Sequence, residues 1–426
     1  MSAIKEDIDW LFSLENMGIK LGLSNIRSLL SMLGDPQDRF GTVHVAGSNG
    51  KGSVSAMTAS ILRSAGYRTG LYTSPHLVRY TERMTVDGNE MDDVRLSKMI
   101  GEVRELLDSR QFPHPLTFFE ITTALAFLYF SDENVEEAVI EVGMGGRLDA
   151  TNIIKPRCSV ITRLSMEHTG FLGDTLGKIA YEKASIIKDS VPVISSPQEP
   201  QAMKVISWMA KSRAAPLSVL GDHFLADCVK RDMNGVTVAL SSLGMQVRVG
   251  LPGRYQCENV ALAAECAMVL ADTIEVSHES IIAGLSKVRW PGRLEIVRDS
   301  PLTVLDVTHT PDGARAVSSE LDMFPGSPRV LVVGMLRDKD AKGAMTIMSP
   351  KFDHVICTSS HSDRALSPQE MKAACAGHKS CRAIAGVDKA VKAAMRKAGP
   401  KGFVMICGSL YTVGEAMQFL EGGNGP

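Results

Sequence analysis

Residues 43–53 read Val43-His44-Val45-Ala46-Gly47-Ser48-Asn49-Gly50-Lys51-Gly52-Ser53. A short β-branched run ends in a glycine-rich turn, which opens a helix rich in Ala, Met and Leu from Val54 to Ser64. Strand, glycine loop and helix in that order make a phosphate cradle. The glycines let successive backbone N–H groups point inward, the helix N-terminus carries partial positive charge, and Lys51 adds a full one. The spacing departs from the common Walker A pattern. The first glycine of that pattern falls at Val45, and Gly52 separates Lys51 from the Ser53 hydroxyl. A purely structural turn is the alternative, but the lysine, the hydroxyl and both flanking elements favour phosphate.

The chain of 426 residues is long for one core, so two domains are expected. Apolar residues make up 44% and charged residues 22%, a globular balance. With 46 Lys and Arg against 48 Asp and Glu, the formal charge is −2, and no basic surplus points to nucleic acid or a membrane surface. No apolar run reaches transmembrane length, and the acidic start Met1 to Asp7 lacks a signal-peptide core. The eight cysteines are scattered without a C-x-x-C pair, which reads as buried free thiols in a reducing cytoplasm rather than as a zinc site. A cytoplasmic monomer acting on small molecules is the expectation.

Residues 3–17 and 24–33 read as amphipathic helices around the turn Gly18 to Leu23, and Asp35-Pro36 closes the second. After the glycine loop and its helix, a second strand ends near Tyr72 to His76. Residues 92–109 look helical, and Thr117 opens another helix with Glu120 in its first turn. Buried strands follow at Val139 to Gly143 and Cys158 to Thr162. Strands alternating with helices predict a doubly wound, mostly parallel sheet with ligands at the carboxyl ends of its strands, where the glycine loop, Ser74, Glu141 and His168 all fall. Residues 217–250 alternate in polarity around Asn234-Gly235 and predict a small antiparallel excursion, followed by a helix from Asn259 to Ala271. Composition breaks at Arg289 to Arg293. A smaller α/β Rossmann-like domain then starts, with strands 302–306, 329–333, 354–358 and 403–407; the division is 1–288 and 289–426. No internal repeat or low-complexity segment is evident, and Gly422 to Pro426 read as a frayed tail.

Glu141 ends an otherwise apolar strand, and a buried carboxylate needs a partner. Arg147 is one choice; magnesium beside the phosphate loop is the other, because that ion takes a carboxylate and nucleotide phosphates together. Ser74 either adds an oxygen ligand or caps a turn before Pro75. His168 is a weaker magnesium ligand on chemical grounds, since the ion prefers oxygen. Lys183, with Glu182 and Lys178, reads as a solvated helical face or as a site residue. Asp306 and His309, at the carboxyl end of the second domain's first strand, read as ligand contacts or strand caps.

Taken together, these residues resemble the folylpolyglutamate synthase/dihydrofolate synthase family within the Mur-ligase group. The resemblance rests on Gly18 to Leu23, His44 to Ser53, Thr73 to Leu77, Thr117 to Glu120, Glu141 to Asn152 and Glu182 to Ala184. It continues through Pro291 to Glu295, Gly334 to Asp340 and Cys407 to Tyr411, covering nearly the whole chain in order. It implies an ATP-dependent amide ligase: a pteroate or folate carboxylate is phosphorylated to an acyl phosphate, and L-glutamate displaces the phosphate. By the same resemblance, Asn49, Gly50, Lys51, Gly52, Ser53, Asn259, Arg293, Asp306 and His309 contact ATP. Ser74, Glu141 and His168 hold Mg2+, and Lys51, Lys183 and His168 serve catalysis, Lys183 at a position where the family carries a carbamylated lysine. Lys20, Leu21 and Gly22, then Thr117, Phe118, Phe119 and Glu120, then Leu148, Asp149 and Ala150 line the pterin side.

Three positions depart from the family pattern. Glu167 replaces an Asp before the metal-binding His, Ser185 replaces a Gly after Lys183-Ala184, and the family's Asp-Gly-Ala-His-Asn-Pro reads Asp306-Val307-Thr308-His309-Thr310-Pro311. The last change falls where nucleotide and amino acid are expected. Two further readings stand beside the leading one: the same ligase mechanism on another carboxylate or amine, and a non-catalytic nucleotide-binding relative. A hinge is expected near Trp290-Pro291-Gly292.

Overall fold

The computed structural model describes residues 2–14, 22–109, 112, 115–375 and 377–422. The first helix runs Ser2–Ser13; the expected continuation to residue 17, Lys20, Leu21 and most of the chain's end lie outside the described residues. The first sheet comprises β1 (Gly41–Ala46), β2 (Thr69–Tyr72), β3 (Met84–Val86), β4 (Asn89–Glu90), β5 (Glu137–Glu141), β6 (Cys158–Ile161), β7 (Val193–Ser195) and β8 (Leu217–Val219). Their order is β4-β3-β2-β5-β1-β6-β7-β8; β3 and β4 form an antiparallel edge, and the rest pair in parallel. β1 thus lies between β5 and β6, reached by crossovers in opposite directions. The crevice at its carboxyl end is where such sheets bind ligands.

Three elements around β1 show how sequence sets this arrangement. Helix Lys51–Ser64 is buried almost all round because its Ala, Ser and Gly residues admit close neighbours. Gly284 of helix His278–Lys287 sits on the Ile61 backbone, where a side chain has no room. Helix Phe118–Asp132, apolar on every side, is started by a capping box in which Thr117 and Glu120 satisfy each other's backbone N–H groups. Its Phe127 is fully buried, and truncation of such a side chain costs about 3–5 kcal/mol.

The 217–250 stretch differs in part from expectation. β8 completes the first sheet, and only β9 (Ala226–Asp232), β10 (Gly235–Leu240) and β11 (Met245–Val249) form the small antiparallel sheet. That sheet packs on helix Tyr255–Leu270, which starts four residues before the expected Asn259.

The second sheet contains β12 (Glu295–Asp299), β13 (Leu302–Asp306), β14 (Arg329–Val333), β15 (His354–Cys357), β16 (Cys381–Ala383) and β17 (Phe403–Cys407), in the order β12-β13-β17-β14-β15-β16. The four expected strands are its interior. The sequence reading missed both edges: β12 is half-buried and irregular between Ile296 and Arg298, and β16 is three residues long around a charged Arg382. Apolar clusters cover both faces. Leu77, from the loop after β2, packs into one of them, and Arg231 of β9 pairs with Glu320, 2.6 Å away and almost fully buried. Among the described residues no helix is long and apolar enough to cross a membrane.

Candidate active site

The loop after β1 is shaped by two glycines. Gly47 (φ 153°) leaves no room for a Cβ against the Thr162 hydroxyl, and Gly50 (φ 93°) none against the Asn259 amide oxygen. The backbone N–H groups of Ser48 and Asn49 donate to Arg163 O at 3.0 and 3.1 Å, and the Asn49 amide donates to Ser165 Oγ at 3.1 Å. Asn49 therefore secures the loop to the segment after β6. The first intrahelical bond runs from Val54 N to Gly50 O, so the N–H groups of Lys51, Gly52 and Ser53 emerge at the helix N-terminus without intrahelical partners. This is an anion cradle in the geometric sense.

Two lysines converge on the same carbonyl. Lys51 Nζ donates to Gly47 O at 3.1 Å and Lys183 Nζ at 2.8 Å. Lys183 is only 2% exposed and forms an ion pair with Glu167 at 2.7 Å, so the solvated-face reading of its helix, Leu176–Ala184, does not hold at this position. Burial opposes the charge of Glu167, but Lys183 and then Lys51 outweigh it and hold the acid at about 2. Burial also lowers the Lys183 ammonium, against the pull of Glu167. The cation is satisfied by a carboxylate and a carbonyl. A carbamate at this nitrogen would instead place a second anion against Glu167.

Glu141 ends β5, opposite Val45 of β1. Burial lifts its carboxyl to about 7, with Lys51, the Ser74 backbone N–H and Arg293 pulling the other way. Arg147, the alternative partner, pairs with Glu182 at 3.0 Å instead. Among the described residues Glu141 makes no ion pair within 4.0 Å. A buried carboxylate without a contact cation, beside the Ser74 loop and the phosphate-loop helix, fits a hard divalent ion that takes oxygen donors. His168 adopts a left-handed backbone (φ 46°), opens the short helix Thr169–Leu172 and is exposed, within the electrostatic reach of Glu167, Lys339, Lys183 and Lys51.

From the second sheet, Asp306 ends β13 fully buried. Its carboxylate accepts from Leu294 N at 3.0 Å and Thr308 N at 2.8 Å, which ties the Pro291 to Leu294 loop to the strand and leaves Arg293 within electrostatic reach of Glu141. Burial raises the Asp306 acid, with Arg293 opposing. His309 Nδ1 bonds Val307 O at 2.9 Å. The altered motif is explained locally: Thr310 Oγ1 caps helix Pro311–Ser318 by accepting from Gly313 N at 3.1 Å, as an Asn would, and the Thr308 side chain bonds Asp306.

The residues expected on the pterin side separate into groups. Gly22 borders the undescribed segment. The Thr117 and Glu120 side chains bond one another at 2.8 Å, a capping role. Phe118 stacks on Phe12 and lies beneath Arg83, and Phe119 lies against Gly143 near Tyr72. Asp149, buried next to Leu148 and Ala150, accepts from Met144 N, Thr151 N and Thr151 Oγ1 and so organises its own loop. Sequence reasoning missed Trp290, whose ring lies against Gly52, and Lys339, near both His168 and His309. A Trp in the linker was a usable signal for the first, and the Gly334 to Asp340 run of the resemblance for the second.

Comparison with known proteins adds independent findings. Residues 45–267 match the Mur ligase middle domain and residues 292–410 the Mur ligase, glutamate ligase domain. The chain is 31% identical to the dihydrofolate synthase/folylpolyglutamate synthase of Bacillus subtilis, over 99% of this chain and 100% of that one. It is 37% identical to the probable bifunctional folylpolyglutamate synthase/dihydropteroate synthase of Haloferax volcanii over 96% of its own length, and spans about half, 50%, of that longer relative. Among solved structures, E. coli FolC in complex with DHPP and ADP superposes with a TM-score of 0.85 at 31% identity, covering 98% of each chain.

Proposed function

This chain belongs to the folylpolyglutamate synthase/dihydrofolate synthase family of Mur ligases, ATP-dependent ligases, and we propose that it joins L-glutamate to the carboxylate of a pteroate or folate. The reading is carried by one observation: Lys51, at the N-terminus of the phosphate-loop helix, and Arg293, from the second sheet, both lie within electrostatic reach of the buried Glu141 at the neighbouring strand end. The E. coli relative in complex with DHPP and ADP supports a nucleotide and a second small molecule as ligands.

In this mechanism a substrate carboxylate oxygen attacks the γ-phosphorus of ATP and displaces ADP. The glutamate amine then attacks the resulting acyl phosphate and expels inorganic phosphate, losing its proton. Lys51 and the helix N-terminus neutralise charge as it moves onto the leaving ADP. Arg293, positioned by Asp306, reaches the nucleotide from the other side, with Asn259 and His309 beside it. Ser74, Glu141 and His168 are the residues that would hold Mg2+, which when bound supplies further neutralisation of the triphosphate. The Lys183–Glu167 pair fixes Gly47 O and so the loop. On this reading the site draws on residues 1–288 and 289–426 of a single chain, so one chain suffices for the reaction.

Purified protein with ATP, Mg2+, L-glutamate and a panel of pteroates and folates should release ADP and a product heavier by one glutamyl residue. ADP release without that product would contradict the reading. Thr308 and Thr310 motivate a second reading, a different amine, and the same assay with other amino acids decides between them.

A further inference from the structure

Three of the eight cysteines meet far from this site, at the opposite edge of the second sheet. Cys357 ends β15, Cys381 lies on the neighbouring β16, and Cys375 closes helix Pro368–Ala374. Cys357 Sγ lies 3.6 Å from Cys375 Sγ and 3.5 Å from Cys381 Sγ, and all three sulfurs are within 4.8 Å of one another. It is the one such group of potential ligands among the described residues. Strands β17 and β14 separate it from Asp306.

From this convergence we infer a trithiolate site for a thiophilic divalent cation of the zinc class, clamping β15, β16 and helix Pro368–Ala374 together. Three thiolates around an ion at 2.3 Å in tetrahedral geometry stand roughly 3.8 Å apart, close to the spacing here. Cys357 and Cys375 are buried, and Cys381 is partly exposed, so entry and a fourth, solvent ligand fall on the Cys381 side. The helix ends at Cys375, where its dipole favours a cation. Binding would displace the thiol protons into solvent. The wide sequence spacing of 357, 375 and 381, with no C-x-x-C, hid the group.

The test uses the full-length, reduced, metal-free protein with Zn(II) alone, read by competition with a chromophoric chelator, and with Co(II) alone, read by the thiolate charge-transfer band. One equivalent should bind with proton release. Cys381→Ser, at the partly exposed position, should weaken binding at least about tenfold and remove the band, and Cys375→Ser should do the same. Cys228→Ser, in the three-stranded sheet, should change neither. The proposal is overturned if the folded protein retains no equivalent, if Cys228→Ser and Cys381→Ser lose binding equally, or if two of the three sulfurs are isolated as a disulfide that excludes the ion. None of these readouts depends on ligase turnover.

Discussion

Glu141 and Glu167, both within electrostatic reach of Lys51, carry opposite electrostatic signatures. Glu141 binds its proton more tightly folded, at about 7, than at its ordinary 4.5. Stability without nucleotide should therefore fall as pH rises from 4.5 through 7. Glu141→Gln should abolish ligation yet stabilise the unliganded protein above pH 7, by on the order of 3 kcal/mol in urea titrations. A destabilised variant there would refute the burial argument. Glu167, held at about 2, contributes stability above its ordinary value that is lost as pH falls through 2. Glu167→Gln leaves Lys183 buried without its anion and should cost about 3–5 kcal/mol at neutral pH; a loss below 1 kcal/mol would show that Gly47 O alone satisfies the ammonium. Glu141 was legible because an acid ending an apolar strand is conspicuous. The Glu167–Lys183 pair was not, because residues 16 apart in sequence meet only through the fold.

At the scale of elements, the strands and the phosphate loop were legible in the sequence wherever burial was two-sided, since continuous apolar runs such as 403–407 leave little ambiguity. Edges β12 and β16 were not, being half-exposed and charged, and β16 only three residues long. Of the expected pterin contacts, Thr117, Glu120 and Asp149 have side chains engaged in capping and loop-building, a use that sequence alone does not separate from ligand binding. The helix at 311–318 gives a clean test of the altered motif. Thr310→Asn should keep both the cap and activity, whereas Thr310→Ala should cost about 1 kcal/mol by thermal or denaturant unfolding. If Thr310→Asn instead changes amine preference, the residue contacts substrate as well.

For the whole molecule, Arg293 and Asp306 belong with one sheet and Lys51 and Glu141 with the other, so on the proposed function neither half holds a complete site. Fragment 1–288 should bind nucleotide weakly and show no ligation above background; ligation by it would overturn the shared site. The expected hinge at Trp290 to Gly292 is a packed junction, with Trp290 against Gly52 and Gly292 close to Val307 and Leu77. Closure there would move the phosphate loop and the Arg293 loop together and exclude water from the acyl phosphate. That intermediate is the centre of the account, and its oxygen can be followed. With 18O in the pteroate or folate carboxylate, one labelled oxygen should appear in inorganic phosphate for each glutamate joined. Unlabelled phosphate accompanying ligated product would contradict it.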